Sequence, residues 1–333
     1  MKLPALITTD LHFTANPRDS YRWSLWPWLR KQCEKYDVQT LCILGDVTDA
    51  KDHHPNELVN RIVREIDACR AVVPRIIVLR GNHDYQTAGN PLLGFLSVMD
   101  GVTFVDKPLD TSDEGEACLF LPYTKNAVED WKGFDFSHYR FVFIHQTVDG
   151  SIASNGQKMQ GDRFPDMSAA GKVYAGDIHV QQVINGVEYV GSPYHVHFGD
   201  SFKPRCVLLD AHGRPEDLHF RTIQRVTLNV DAGVMDSDMQ SLRKGDQVKL
   251  RAHLKASEVP DWLSIKREAL KMLKDREVEV FGVELIVPKT RRRFNDDSAP
   301  KLSAASPEGI VLNFVEMEDI GADALDVGLD LLE

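Results

Sequence analysis

Apolar runs of four or five residues recur through the first two hundred positions, and each stops at a polar or glycine-containing break. Residues Pro4 to Thr8, Thr40 to Leu44, Arg75 to Leu79, Arg140 to Ile144 and Lys172 to Ala175 read as buried strands, since short continuous apolar runs are strand-length segments covered on both faces. Helical patterns lie between them. Tyr21 to Lys35 puts Trp23, Trp26 and Leu29 on neighbouring faces, with Pro27 in its middle; Asn56 to Ala71 spaces Leu58, Ile62, Ile66 and Cys69 helically; Pro91 to Met99 forms a third, shorter helix. Further strands are expected at Cys118 to Leu121, Val187 to Val190 and Cys206 to Leu209. Asn185-Gly186, between Val183-Ile184 and Val187, is a hairpin turn signal. The mixture predicts an α/β fold, two sheets packed as a sandwich and flanked by helices.

The pattern changes near Arg225. Strands at Val226 to Val230, Val248 to Leu254 and Val278 to Val287 alternate with helices at Ser237 to Arg243 and Val259 to Lys274. This is a small α+β cap domain over 225–288, following a first domain over 1–224. Residues 289–305 read as a linker. Residues 306–333 read as an amphipathic helical tail, with Ser306 as N-cap, Pro307 at the first helical position, and Ile310, Val311, Phe314 and Val315 on one face.

Composition narrows the class. In 333 residues, 43% hydrophobic and 27% charged content is that of an ordinary globular protein. No stretch is long and apolar enough to span a bilayer, and Met1-Lys2-Leu3-Pro4 runs straight into the first strand, so a cytoplasmic protein is expected. Five dispersed cysteines (Cys33, Cys42, Cys69, Cys118, Cys206) suggest reduced, buried thiols. A net charge of −11 gives no support to broad electrostatic capture of nucleic acid. The charge is uneven: Glu308 to Glu333 holds eight acidic residues and no basic one, just after the basic run Arg291 to Arg293.

The candidate chemistry sits where the apolar runs end. The breaks read Asp10-Leu11-His12, Gly45-Asp46, Gly81-Asn82-His83-Asp84, His145 and Gly176-Asp177-Ile178-His179. Singly, Asp10 and Asp46 could cap helices, Asn82 to Asp84 could be a polar turn, and His145 a satisfied strand-end histidine. Five such breaks in one chain point to one site at the carboxyl ends of the strands. An oxygen and nitrogen donor set without cysteine suits Mn, Fe, Zn or Mg.

This series resembles the signature of the binuclear metallophosphoesterases, D-x-H, G-D, G-N-H-D/E, H and G-H-x-H, and departs from it only at Asp177, where that family usually has histidine. The resemblance implies a two-sheet sandwich and two divalent ions, most often Mn2+ with Mg2+ as the other choice, bridged by Asp46. It implies Asp10, His12 and His179 on one ion, and Asn82, His145 and Asp177 on the other. It also implies hydrolysis by a metal-activated hydroxide, His83 at the scissile phosphate or leaving oxygen, and Asp84 orienting His83. His195 and His197 are alternatives to Asp177 as ligand. Val187-Glu188-Tyr189-Val190-Gly191-Ser192-Pro193, with Phe198-Gly199-Asp200 and Lys203 beyond it and Gly45-Asp46-Val47-Thr48-Asp49 before it, is similar to SbcD-type DNA-repair nucleases and their phage relatives. That likeness implies DNA exonuclease and endonuclease activity in end processing, repair or recombination, inside a bacterial or phage-infected cell. It implies an SbcC-like coiled-coil ABC ATPase as partner, and a homodimer through Asn56 to Ala71 and Pro91 to Met99. The alternatives are a small-molecule phosphodiesterase or phosphatase of the same superfamily, and a catalytically weakened scaffold subunit.

Overall fold

The computed structural model describes residues 1–287, apart from 86–90, 162, 232–233 and 236. The expected linker at 289–305, with its basic run, and the tail at 306–333 lie outside the described residues. In chain order the strands are β1 (Ala5–Thr8), β2 (Thr40–Ile43), β3 (Arg75–Leu79), β4 (Val102–Val105), β5 (Leu109–Asp110), β6 (Cys118–Leu121), β7 (Phe141–His145), β8 (Lys172–Gly176), β9 (Gln182–Ile184), β10 (Val187–Tyr189), β11 (Cys206–Leu209), β12 (Pro215–Leu218), β13 (Arg225–Asp231), β14 (Val234–Met235), β15 (Gln247–His253) and β16 (Glu279–Ile286). The α-helices are α1 (Leu25–Lys35), α2 (Asn56–Arg70), α3 (Ala127–Asp130) and α4 (Trp262–Lys274).

Two six-stranded sheets form a sandwich, in the orders β12-β11-β1-β2-β3-β4 and β5-β6-β7-β8-β10-β9. The central strands of both run parallel. Strand periodicity explains why the runs are apolar throughout. Leu6, Leu41, Ile43, Ile76 and Val78 turn to the outer core under α1 and α2, while Ile7, Cys42, Leu44, Ile77 and Leu79 turn inward to meet the second sheet. There Phe120 stacks on Phe143 at 4.6 Å, and Tyr174 follows at 6.0 Å. The far face of the second sheet buries Leu119, Leu121, Val142, Ile144, Val173 and Ala175 against Trp131 and Phe136. All five cysteines are free and buried.

Two expected helices are tighter at one end or throughout. Pro17–Ser24 is a 3-10 helix that leads into α1, so Pro27 falls in the first α-helical turn, where no backbone N–H is needed. Leu92–Val98 is a 3-10 helix rather than an α-helix. Likewise Ser237–Ser241 and Ala256–Asp261 are 3-10 turns, the second running into α4. Asn185 and Gly186 both have positive φ (49° and 81°), as a two-residue hairpin requires. Residues 225–286 build a separate four-stranded sheet, β14-β13-β15-β16, with its own apolar core against α4. Residues 1–288 cluster as one compact unit, and the expected boundary at Arg225 falls at the start of β13 within it. No described helix is long and apolar enough to cross a membrane.

Candidate metal centre

The two sheets deliver their side chains to one place. The loops after β1, β2 and β3 carry Asp10, His12, Asp46, Asn82 and His83. His145 ends β7, and the loop after β8 carries Asp177 and His179. Asp46 is the centre. Its Oδ2 lies 3.7 Å from His12 Nε2 and 4.0 Å from His83 Nε2, and its Oδ1 lies 3.3 Å from His145 Nε2. His12 Nε2 and His179 Nε2 are 3.0 Å apart. On the other side Asn82 Nδ2 donates to Asp177 Oδ1 at 2.8 Å, and His145 Nε2 is 3.9 Å from the same oxygen. The donor atoms form three overlapping groups, each within 4.8 Å: Asp10, His12 and His179; His12, Asp46 and His83; Asp10, Asp46 and His145.

Several observations fit this centre to divalent ions. A 3.0 Å gap between two imidazole nitrogens is the spacing of ligands each about 2.1 Å from one ion. His145 donates from Nδ1 to the Leu44 carbonyl at 2.6 Å, which leaves Nε2, once it gives up its proton, to face an ion. That Nε2 and Asn82 Oδ1 are buried polar atoms without a hydrogen-bond partner, and such groups are costly unless something polar meets them. Electrostatics agrees. Burial, with Asp46 adding to it against the pull of His145, pushes the Asp10 carboxyl up to about 7. Burial also opposes ionisation of Asp46, yet His145, His12 and His83 outweigh it and hold that carboxyl well below its ordinary range. His145 is raised to about 10, because Asp46 and its neighbours overcome the effect of burial. Burial, then His12 and His197, lower the His179 imidazole well below its ordinary value.

The backbone here is unusual. Asp10, His12, Asp46 and Asp177 all have positive φ (54°, 43°, 53° and 91°), a conformation that costs a non-glycine residue of order 1–3 kcal/mol. Side chains hold it in place. The three successive carbonyls of the β1 loop are each taken: Asp10 O by Ser192 Oγ at 3.0 Å, Leu11 O by Tyr194 Oη, and His12 O by Arg22 Nη1. All three donors are buried. Glycine is required where loops touch. A Cβ on Gly81 would stand 2.2 Å from Asp46 Oδ1, and one on Gly176 would stand 2.2 Å from Thr9 Oγ1 and 2.8 Å from His145 Nδ1.

Two expectations need revision. Asp84 does not hold the His83 ring: its Oδ2 accepts from the backbone N–H of Asp46 at 2.8 Å and of Gly81 at 3.0 Å, so it ties the β2 and β3 loops together. The His83 ring instead meets the Asp49 carbonyl through Nδ1. His195 is turned away, with Nε2 on the Phe202 carbonyl at 2.9 Å. His197 stacks on His179 with centroids 5.3 Å apart and lines, with Asp177, a cleft of about 430 Å³. Sequence reasoning missed Arg22, Tyr194 and Thr147, whose hydroxyl donates to Asp177. No local signal marks them, because each acts through a contact with another loop of the chain. Asp49, three residues beyond Asp46, lies 3.4 Å from His12 Nδ1.

A two-sheet sandwich that gathers aspartates, histidines and an asparagine at its strand ends defines a metal-dependent phosphoesterase. Residues 3–170, just over half of the chain, match the calcineurin-like phosphoesterases, and the chain belongs to that family of hydrolases. The match ends before Asp177 and His179. The chain is 24% identical over 181 residues to exonuclease subunit 1 of Enterobacteria phage T4, covering 52% of each; it thus spans about half the length of that curated relative. Among solved structures it is similar to the Pseudomonas putida nuclease MPE, at 15% identity and a TM-score of 0.32, over 64% of this chain and 87% of that one.

Proposed function

We propose that the chain is the nuclease subunit of an SbcCD-like complex, cleaving phosphodiester bonds of DNA with two divalent ions, most often Mn2+. The convergence of donors from both sheets on one buried carboxylate, Asp46, carries the reading. The likeness to a phage exonuclease subunit supports the choice of DNA. Asp10, His12 and His179 would hold one ion, Asn82, His145 and Asp177 would hold the other, and Asp46 would serve both. Bound ions supply charge neutralisation and Lewis acidity for the phosphoryl group. The protein does the rest. Asp84, Ser192, Tyr194 and Arg22 keep the ligand loops in register. His83 is only partly covered and faces the same space, so its Nε2 is free to contact the phosphate or protonate the leaving oxygen. Residues 1–224 form the catalytic domain and 225–288 the cap. The tail at 306–333 binds a coiled-coil ATPase, and the catalytic domain forms a homodimer.

The test is one panel. Purified protein with Mn2+ is offered linear duplex DNA, a DNA hairpin, a cyclic nucleotide and p-nitrophenyl phosphate esters. Cleavage of the DNA substrates well above the others is expected. Turnover confined to the small esters would favour a small-molecule phosphodiesterase, and no turnover with metal bound would favour a scaffold subunit.

A further inference from the structure

Beside the Asn82 and His145 side of the centre lies a cluster that the mechanism does not use. Tyr85 directly follows Asp84, three residues on from Asn82, which keeps it within roughly 10 Å of that ligand along the chain. Its ring meets Tyr123 edge to face at 5.7 Å. The Arg80 guanidinium lies 4.9 Å from the Tyr85 centroid, and Lys125 Nζ lies 5.7 Å from it.

The cluster is fastened to two ligand loops. Tyr123 N donates to Arg80 O at 2.9 Å, and Arg80 Nη2 donates back to Tyr123 O at 2.7 Å. Gln146, next to His145, donates to the Thr124 carbonyl at 3.1 Å. Arg80 is 8% exposed, so the Tyr85 ring rests on a buried cation. Tyr85 and Tyr123 are half-buried, and Lys125 is exposed.

A pair of tyrosines, one of them in contact with two cations, beside a phosphodiester-cleaving centre is the chemistry that takes an unpaired nucleobase. The ring face stacks on the base, and the cations favour the neighbouring phosphate. We propose that Tyr85, with Tyr123 and Lys125, forms a stacking subsite for the base next to the scissile phosphate, in a reading that rests on the nuclease function above. The alternative is a packed surface aromatic pair with no ligand.

The experiment compares the full chain with Tyr85→Leu and Tyr85→Phe in Mn2+. The substrates are a single-stranded oligonucleotide and the same backbone made wholly of abasic residues. Wild-type kcat/KM should be roughly ten- to a hundredfold higher on the strand with bases, the scale of one base–aromatic stack. Tyr85→Leu should bring that ratio close to one while cleaving the abasic strand at the wild-type rate. Tyr85→Phe should restore the ratio. An unchanged ratio in Tyr85→Leu overturns the subsite. So does an equal loss on both strands, which would mean that Tyr85 only supports the Asn82 loop. If the wild-type chain with metal bound cleaves neither strand, the nuclease reading itself falls and the subsite falls with it.

Discussion

His83 is the one imidazole at the centre whose assignment separates a ligand from a proton donor. It is within reach of the Asp46 and His12 donors, yet its side chain is 26% exposed where His12 and His145 are 3% and 0%. His83→Ala should lower turnover by about 10²–10⁴, the usual scale for a positioned acid. Metal content by mass spectrometry should stay at the wild-type level, and loss of an ion would make His83 a ligand. Protons and metals also compete here. The Asp10 and Asp84 carboxyls, raised to about 7 and about 6, and His145, raised to about 10, all bind protons more tightly folded than unfolded. Their contribution to metal-free stability is complete below their unfolded values and declines as pH rises through about 4 to 10. Divalent ions would replace the protons of Asp10 and His145, so the rise in Tm on adding Mn2+ should grow between pH 6 and pH 8. A rise that shrinks over that range in thermal melts would mean that these groups do not meet the ions.

At the level of elements, a short 3-10 segment, Pro17–Ser24, joins the metal loop to the cap. Its Asp19 binds Arg225, the first residue of β13, and lies 3.5 Å from Arg22. Arg22 and Arg225 both donate to the Val196 carbonyl, at 3.2 and 2.6 Å, and Arg22 alone also holds His12 O. Both arginines are buried, so Arg22→Ala and Arg225→Ala should each cost about 3–5 kcal/mol in urea unfolding. Arg22→Ala should in addition weaken Mn2+ binding, measured by titration into the metal-free protein. Equal weakening by Arg225→Ala would place the cap, and not Arg22, in control of His12. Nothing in the local sequence announces this joint: its partners are separated by 174 and 206 residues. What could be read were the strands, because burial on both faces leaves an unbroken apolar run, and the strand ends, because Asp10, Asp46, Asn82 and His145 interrupt those runs. The 3-10 turns carry the same apolar spacing as a helix, since three- and four-residue spacings overlap over six or seven positions. Asp84 was assigned to its sequence neighbour when its partners are backbone groups of two loops, a choice that only packing reveals.

On the scale of the whole molecule, charge is divided unevenly. The eight acidic residues of Glu308 to Glu333 belong to the tail, and apolar positions spaced along it ask for a partner surface. On the proposed reading, truncation after Ala305 should leave Mn2+ binding and cleavage unchanged and weaken association with a coiled-coil ATPase. A truncated chain that unfolds, or that binds the ATPase with full affinity in a pull-down, would end that assignment. The order of strands carries one more consequence. β1, which leads directly to Asp10 and His12, lies between β2 and β11, so its second neighbour is made some two hundred residues after it. During synthesis β1 therefore waits with one ladder of N–H and C=O groups open, and the Ser192 and Tyr194 hydroxyls that shape its loop arrive equally late. A stalled or nicked chain that ends before Cys206 carries all of the candidate ligands but lacks the strand that pairs with the other edge of β1. Such fragments should be aggregation-prone and unable to load metal, which ties activity to a chain that has been made at least through β11.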